Sequence, residues 1–409
     1  MFEPFSHYVS YGATDQQTVR ELVQSIDGLV VPATVAAFQR EGTGGFVLTL
    51  SATQAAPDYV IDPRFPLFQQ ALPTAKASHR ALAELMGFPD LVSPTAQPNP
   101  GNFTDTRVEE IARNWMQFNR GYSTEMVAKF DKYAQRLGEP VELPHAKLPI
   151  YVLPPYFSCE GVGDPWWNVS RRLFDASQHQ ATDVKCVRVV ASKDERFLGA
   201  LLENAASEDR VVVWVSGLQE LERTADVLAT YGQALAEASS RGQRTFALYG
   251  GFFSVLLSCV GLAGSSHGIG YGEYREWVEL PQSGPPPARY YFRPLHRYVS
   301  QEMAYQIWLS NRPLVECMCQ ECQGAPPVAL EYHSLMKHSV LCRHEEIQNW
   351  TGLEGAEMAE RLDREFHLFW SALATTSLPS FIQHQAERAA DHVPRWIAAL
   401  RRLVESQGK

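Results

Sequence analysis

The sequence predicts an α/β protein built on a (β/α)8 barrel, with a zinc-binding knuckle and a C-terminal helical extension. About eight short Val/Ile/Leu-rich runs alternate with helical patterns over roughly 300 residues, as in a mostly parallel sheet closed into a barrel. Three cysteines then fall within six residues, and nearly everything that follows has helical periodicity. A doubly wound open sheet is the alternative, because alternation alone does not separate the two architectures.

The predicted strands are apolar runs bounded by turn residues, which suits strands buried on both faces. They are residues 7–11, 28–33, 45–51, 58–62, 148–153, 184–190, 210–215 and 245–249. Apolar residues at helical spacing predict helices over 15–25 and 224–239, and in the tail over 355–372 and 380–405. The proline-rich segments 94–101 and 281–287 are predicted to be surface loops. The predicted division is therefore a barrel over 1–312, a zinc subdomain over 313–350 and a helical extension over 351–409.

Composition excludes several classes of protein. The chain has 409 residues, 45% of them apolar and 20% charged, which is an ordinary globular composition. Its net charge of −10 argues against a broadly basic nucleic-acid-binding surface, although it leaves room for a local basic path. No apolar run is long enough to span a membrane, and the start of the chain lacks a signal-peptide pattern, so a cytoplasmic location is predicted. Neither GxGxxG nor GxxxxGK[ST] is present.

The cysteine segment carries the most specific chemical signal. Its pattern is Cys317-x-Cys319-x2-Cys322, and thiolates at this spacing can converge on one tetrahedral Zn²⁺. The fourth ligand is expected from the following helix, which offers His333, His338, Cys342 and His344. We favour His338, with Cys342 one helical turn later as its main competitor. Four protein ligands make a closed, structural site; the alternative is a set of unrelated core cysteines.

This motif, placed after a predicted barrel, resembles the zinc subdomain of the tRNA-guanine transglycosylase family. SLMKHSVL at 334–341 is similar to the family's stretch around its zinc histidine, which points to His338. VGLAGSSHGIGYGE at 260–273 is similar to the family's glycine-rich base-binding loop GGLAVGE, and implies base contacts at Gly261, Leu262, Ala263 and Gly264. YVIDPRFPLF at 59–68 lies where the family has DSGGFQ, so Asp62 would match the aspartate that contacts the base and takes part in proton transfer.

The resemblance implies exchange of a guanine or 7-deazaguanine base in tRNA or DNA, through a covalent intermediate on a carboxylate. The family's nucleophilic aspartate precedes its zinc motif, whereas the corresponding stretch 303–316 contains no aspartate. The nucleophile is therefore unassigned. Relatives that insert deazaguanine bases into DNA diverge in similar ways and are the closest counterpart within the group.

Positions after predicted strands supply the other candidates, because barrel chemistry lies at the carboxyl ends of strands. Asp62, His267 and Glu273 are the catalytic candidates, and Tyr249, Gly250 and Gly251 are predicted to help bind the base. The alternatives are an Asp-Pro turn or an Arg64 ion pair for Asp62, and a flexible exposed loop for His267 and Glu273. Arg289, Arg293 and Arg297 lie in a basic, aromatic run that suits nucleic-acid contacts, or a strand with arginines extending into solvent.

Two classes of function follow from these features. The first is a transglycosylase-like enzyme that acts on a base in nucleic acid. The second is a catalytically divergent, zinc-stabilised barrel that binds nucleic acid or a partner protein in a modification or defence system. The missing aspartate favours the second, whereas Asp62 and the glycine-rich loop favour the first. An unrelated metal-stabilised hydrolase is a weaker third candidate, since the sequence offers no second His/Asp cluster for a catalytic metal.

Overall fold

The molecule is built around one eight-stranded parallel sheet. The structure is a computed structural model that describes residues 1–2, 5–12, 15–72, 74–122, 127–137, 142, 148–277 and 289–407. The strands are β1 Ser6–Ser10, β2 Gly28–Pro32, β3 Asp58–Asp62, β4 Ser158–Cys159, β5 Arg188–Ser192, β6 Arg210–Val215, β7 Arg244–Ala247 and β8 Leu262–Gly268. Their order in the sheet is β3-β2-β1-β8-β7-β6-β5-β4. A separate antiparallel hairpin pairs β9 Arg289–Phe292 with β10 Arg297–Ser300.

The prediction of a closed barrel is wrong. The strands follow the consecutive order of a barrel, but the described residues form no ladder between β3 and β4, so the curled sheet stays open there. One backbone bond, from Ile150 N–H to the Tyr59 carbonyl (3.1 Å), reaches β3 from the segment before β4. The strand predicted over 148–153 reduces to a single bridge at Val152, and two prolines without N–H donors follow it. The consecutive order also differs from that of a doubly wound sheet.

Most other sheet predictions are confirmed to within two residues, namely β1, β2, β3, β6 and β7. The strand predicted over 184–190 begins later, as β5. The strand predicted over 45–51 belongs to a helix, because a continuous apolar run does not distinguish a buried helix from a buried strand. The glycine-rich stretch before residue 268, predicted as a loop, forms β8 in the middle of the sheet.

Sixteen α-helices connect or follow these strands in the described part of the chain. Those up to the hairpin are α1 Gln16–Glu21, α2 Ala33–Phe38, α3 Arg40–Leu50, α4 Ala77–Leu85, α5 Asp105–Gly121, α6 Val127–Ala134, α7 Pro165–Gln180, α8 Glu195–Asn204, α9 Ala225–Ser240 and α10 Phe252–Leu256. The later ones are α11 Gln301–Ser310, α12 Arg312–Val315, α13 Tyr332–Trp350, α14 Gly355–Ala374, α15 Ser380–Ala390 and α16 Val393–Gln407. None of these described helices is long and apolar enough to cross a membrane.

The C-terminal helices pack on the sheet domain. Helix α16 packs against α14 and α9. The single helix predicted over 380–405 is two helices, α15 and α16, and the second carries Pro394 in its first turn, where a missing N–H costs nothing. The predicted loop 94–101 is irregular and mostly exposed, whereas 281–287 lies outside the described residues.

The strands bury side chains on two faces, because successive residues alternate across a sheet. Val9, Ile61 and Val213 pack in the cluster between sheet and helices. Tyr8, Val60, Val212, Trp214 and Phe246 pack together on the inner, concave face. Asp62 follows Val60 by two residues, so its side chain lies on the inner face at the carboxyl end of β3.

Candidate metal centre and strand-end cleft

Cysteines from the segment after α12 meet α13 in a buried cluster. Ligand atoms of Cys317, Cys319, His338 and Cys342 all lie within 4.8 Å of one another. The turn that presents the first cysteines is closed by a bond from Gly324 N–H to the Cys317 carbonyl (2.9 Å). Gln323 and Gly324 have left-handed φ values of 47° and 79°; glycine adopts this conformation without strain, whereas in glutamine it costs energy. Cys322 also reaches this cluster, with its Sγ 3.1 Å from His338 Nδ1.

The imidazole of His338 is oriented for ligation through one nitrogen. Its Nε2 lies 2.8 Å from the Tyr291 carbonyl and donates to it, which leaves Nδ1 as the acceptor that faces the thiols. The Tyr290 ring stacks on the imidazole with centroids 4.4 Å apart. Hydrogen bonds from the neighbouring thiols hold the pKa of Cys317 well below its usual range, which favours the thiolate that a metal needs.

The spacing of these atoms fits a tetrahedral metal. With metal–sulfur bonds of ~2.3 Å, sulfur atoms on one ion are about 3.8 Å apart. The Sγ atoms of Cys317 and Cys342 are 3.8 Å apart, and Cys342 Sγ lies 3.5 Å from His338 Nδ1. Cys319 Sγ lies 3.6 Å from the same nitrogen. Five donors therefore surround a site that needs four. The other two histidines lie elsewhere: His333 contacts Thr18, and His344 contacts Gln348.

A cleft of about 900 Å³ opens where the carboxyl ends of β6 and β8 meet the hairpin and the C-terminal helices. We call it the strand-end cleft; it is lined by loops 219–222 and 271–274, the hairpin, and residues 385–395 of α15 and the α15–α16 junction. Glu220 and Glu273 belong to its lining. Two side chains of α16 fix the first loop by donating to its backbone carbonyls: Trp396 Nε1 to Glu220 (2.9 Å) and the Arg395 guanidinium to Leu221.

Glu220, which is buried, and Glu273, which is partly buried, are the two carboxylates at the inner end of the cleft. Glu220 is 5% exposed and accepts hydrogen bonds from Phe253 N–H (3.0 Å) and the Ser254 hydroxyl (2.6 Å). Glu273 pairs with the buried Arg343 at 2.8 Å. Burial raises the pKa of Glu220 to about 7; the Ser254 bond opposes that shift, and the charge of Glu273 adds to it. Burial raises the pKa of Glu273 as well, against the opposing charge of Arg343.

Four arginines also line the cleft: Arg289, Arg297, Arg388 and Arg395. In the part of the chain that the structure describes, none of them forms an ion pair with a carboxylate. Of the arginines predicted to contact nucleic acid, Arg289 and Arg297 therefore lie in the cleft. Arg293 lies in a separate groove and pairs with Glu345 at 3.0 Å.

Asp62 is fully buried on the inner face and held by four hydrogen bonds. Oδ1 accepts from the Tyr156 hydroxyl (2.7 Å) and from Arg64 N–H (3.1 Å). Oδ2 accepts from the Tyr249 hydroxyl (3.0 Å) and from Arg64 Nε (3.3 Å). The Arg64 backbone is left-handed, with φ 54°, a conformation that costs energy in a non-glycine residue. The ion pair considered from sequence is present, together with two tyrosine contacts that the sequence does not reveal.

His267 lies on the opposite face of the sheet from Asp62. It pairs in register with Val9, which packs in the cluster between the sheet and the helices. Its Nε2 lies 2.8 Å from Nε2 of the buried His7. Burial and the nearby Arg343 lower the pKa of His267 to about 3, so the ring is neutral. Within the described residues, its hydrogen-bond partners are His7 and the Gly268 carbonyl, and it does not line the cleft.

The predicted base-binding residues separate into two groups. Tyr249 contacts Asp62, and Gly250 and Gly251 lead from it to the cleft carboxylates. Gly261, Leu262, Ala263 and Gly264 instead lie at the amino end of β8, where Gly261 forms a left-handed turn with φ 96°. Parallel strands present their amino ends at the edge opposite the cleft, so this stretch lies away from it.

Sequence reasoning missed Glu220 and Arg343. Glu220 lies in the polar run QELE, which has no distinguishing motif, and only folding brings it beside Glu273. Arg343 directly follows Cys342 and is buried. Its position next to a candidate metal ligand was the one signal in the sequence that could have indicated this burial.

The chain matches no protein-family model and no curated protein. The function is therefore argued from the site.

Proposed function

We propose that the chain is a transglycosylase-like enzyme that exchanges a guanine or 7-deazaguanine base in a nucleic acid at the strand-end cleft. The observation that carries this proposal is the carboxylate pair formed by the buried Glu220 and the partly buried Glu273, beside four arginines that the described residues leave without ion-pair partners. Such a composition suits a polymer whose phosphates contact the arginines while a base reaches the carboxylates. The resemblance of the cysteine motif to the transglycosylase family supports the same activity.

Residues of the cleft take separate roles in this proposal. Arg289 and Arg297 contact phosphates, and Glu273 transfers a proton to or from the base. Asp62 is a further candidate for proton transfer. It lies on the neighbouring inner face, and the segment Tyr249–Gly250–Gly251 connects it to the cleft. We call the region formed by Asp62 and the strand-end cleft the mouth. A carboxylate of the mouth displaces the base and forms a covalent glycosyl intermediate, which then reacts with the incoming base.

The metal of the cysteine cluster is Zn²⁺ in this proposal, and its role is structural. Cys317, Cys319 and His338 hold it together with either Cys342 or Cys322. Thiolate and imidazole donors in a closed, buried, four-coordinate site are typical of structural zinc. The ion would tie α13 to the cysteine turn, and thereby hold Arg343 against Glu273.

A protein that binds nucleic acid without base exchange is the second candidate. The carboxylate of Asp62 accepts four hydrogen bonds, and a carboxylate has about four acceptor positions in all. An aspartate satisfied in this way is not free to contact a base. The second candidate therefore predicts binding of nucleic acid with no incorporation of a labelled base.

Incorporation of labelled guanine or 7-deazaguanine into tRNA and into duplex DNA distinguishes the two candidates. We expect incorporation into one of these polymers, reduced by about 10²-fold or more in Glu273→Gln. Glu360→Gln, an exposed carboxylate on α14, is the matched control and should exchange at the wild-type rate. No incorporation into either polymer by folded, metal-loaded protein would reject the enzyme proposal.

A further inference from the structure

Gly251 lies beside both cleft carboxylates, which approach the space that a side chain at this position would occupy. A Cβ atom at this position would lie 2.6 Å from Glu220 Oε2 and 3.1 Å from Glu273 Oε2. Both oxygens therefore face the same small volume above the Gly251 backbone. Its φ of −94° lies outside the left-handed region, so no positive φ requires glycine here, whereas the two carboxylates leave no room for a side chain.

Each carboxylate has one oxygen engaged away from this gap. Glu220 Oε1 accepts from the Ser254 hydroxyl and N–H (2.6 and 3.2 Å), and Glu273 Oε1 accepts from Arg343 (2.8 Å). Glu220 Oε2 also accepts from Phe253 N–H (3.0 Å). Across the gap, the two Oε2 atoms face each other with no cation between them among the described residues. Both oxygens lie within 3.1 Å of one point above Gly251, so two negative charges here repel strongly. A proton shared between the two carboxylates removes that repulsion.

The surrounding charges do not neutralise both groups. The titratable and charged groups around Glu220 are Glu273, Arg343 of α13 and Tyr231 of α9. Those around Glu273 are Arg343 and Glu346 of α13, Tyr291 of β9, and Arg297 and Tyr298 of β10. Arg343 also pairs with Glu346 at 3.2 Å, so one guanidinium forms ion pairs with two carboxylates, Glu273 and Glu346. Burial raises the pKa of both cleft carboxyls, in agreement with this charge balance.

We propose that Glu220 and Glu273 share a single proton at neutral pH, and that this pair is the acid–base group of the strand-end cleft. The proposal rests on the proposed function for its substrate, a heterocyclic base joined to a sugar. It adds Glu220 as a catalytic residue and treats the two carboxylates as one unit. A carboxylic acid beside a carboxylate offers both a donor and an acceptor to one base.

The proton balance of base exchange closes on this pair. As the bond between the sugar carbon and the departing base nitrogen breaks, its two electrons go to the nitrogen. The Glu220–Glu273 pair donates its proton to the same nitrogen. A nucleophilic carboxylate of the mouth bonds to the sugar carbon. The incoming base then returns an N–H proton to the pair as its nitrogen attacks that carbon and releases the carboxylate. The enzyme ends in its starting protonation state.

Infrared spectroscopy of the carboxylic-acid C=O stretch tests the shared proton without any activity. We expect one such band per chain at neutral pH in the metal-loaded protein, lost as the pH rises. Replacing either partner removes the repulsion, so Glu220→Gln and Glu273→Gln should both lose the band at neutral pH. Glu222→Gln, an exposed carboxylate at the rim of the same cleft, should keep it.

A wild-type protein without the band, or a Glu273→Gln variant that keeps it, would overturn the proposal, because Glu220 would then hold no proton or hold it alone. Gly251→Ala supplies a second test in which both carboxylates remain but are forced apart. It should shift or abolish the band while zinc content stays at the wild-type value, and an unchanged band would count against the pair. A protein that shows the band but exchanges no base would retain the pair and lose the proposed function.

Discussion

At the candidate metal centre, five donor residues lie around a site that needs four ligands, so the identity of one residue decides the ligand set. Cys317, Cys319, His338 and Cys342 form a group of four whose ligand atoms lie within 4.8 Å of one another, and Cys322, 3.1 Å from His338 Nδ1, is a fifth donor beside them. Cys317, Cys319 and His338 were predictable because ligand spacing is written in the sequence, whereas Cys322, also predicted as a ligand, lies outside the group of four. The competition was predicted only in part, since Cys322 was expected to be a ligand and Cys342 a reserve.

Serine substitutions separate these roles. Cys319→Ser should lose stoichiometric zinc and lower the melting temperature, because a hydroxyl is a poor zinc ligand at this position. Of Cys322→Ser and Cys342→Ser, one should keep one equivalent of zinc and the other should not. Metal content by mass spectrometry, with melting curves, measures this. Full zinc retention in Cys319→Ser would contradict the ligand assignment, and Cys259→Ser, outside the cluster, is the control.

The buried histidine pair predicts sensitivity to acid. The pKa of His267 is lowered to about 3, against ~6.5 in an unfolded chain, so the unfolded state binds the proton first. The free energy of unfolding should therefore fall as the pH drops below about 6.5, by about 2 kcal/mol at pH 5 for this residue.

Urea titrations of His267→Gln at pH 7 and pH 5 measure that contribution. The variant should lose less stability on acidification than the wild type, since glutamine does not titrate. The exposed His367→Gln on α14 should behave as the wild type does. An equal loss in wild type and His267→Gln would show that this imidazole does not titrate in the expected direction.

Helix α13 connects the metal centre to the strand-end cleft. It carries His338 and Cys342 on the metal side, and the next residue, Arg343, reaches Glu273. Glu346, one turn further, binds the Tyr291 hydroxyl at 2.7 Å. The sequence could predict the helix and its ligands, but the direction of Arg343 depends on contacts with the loop after β8, which are not local.

Metal removal should therefore loosen the cleft as well as the cysteine turn. We expect a chelator to increase hydrogen exchange of the backbone amides in α13 and in the loop 271–274. Amides of β5 and β6 should keep their protection, because α13 packs on β9, α10 and α1 and not on these two strands. Unchanged exchange in 271–274 after complete metal loss would show that the centre does not position Glu273.

The sheet illustrates which elements a sequence specifies. Strands such as β3 and β6 were predicted at their observed bounds, because each is a β-branched run between turn residues. β8 was missed because its glycines and serines resemble a loop, although Gly264 is required where a Cβ would meet the Phe246 ring at 2.8 Å. The open edge beside β4 could not be predicted, since closure depends on pairing between distant strands.

Over the whole molecule, a net charge of −10 coexists with four cleft arginines that form no ion pair with a described carboxylate. If these contact phosphates, Arg289→Ala and Arg388→Ala should weaken binding of single-stranded and duplex nucleic acid. Each should reduce the slope of log K against log salt by about 1. Fluorescence anisotropy over a salt series measures this, with exposed Arg364→Ala on α14 as the control. Equal effects of all three variants would place the contact elsewhere.

The most direct test of the central claim is to trap the covalent intermediate. Protein incubated with the nucleic acid in the absence of a free acceptor base, then denatured in acid, should carry one nucleic-acid adduct by intact mass. Peptide mapping should place that adduct on a carboxylate of the mouth formed by Asp62 and the strand-end cleft. No adduct in metal-loaded protein that binds the polymer, or an adduct on a residue away from this mouth, would contradict the account.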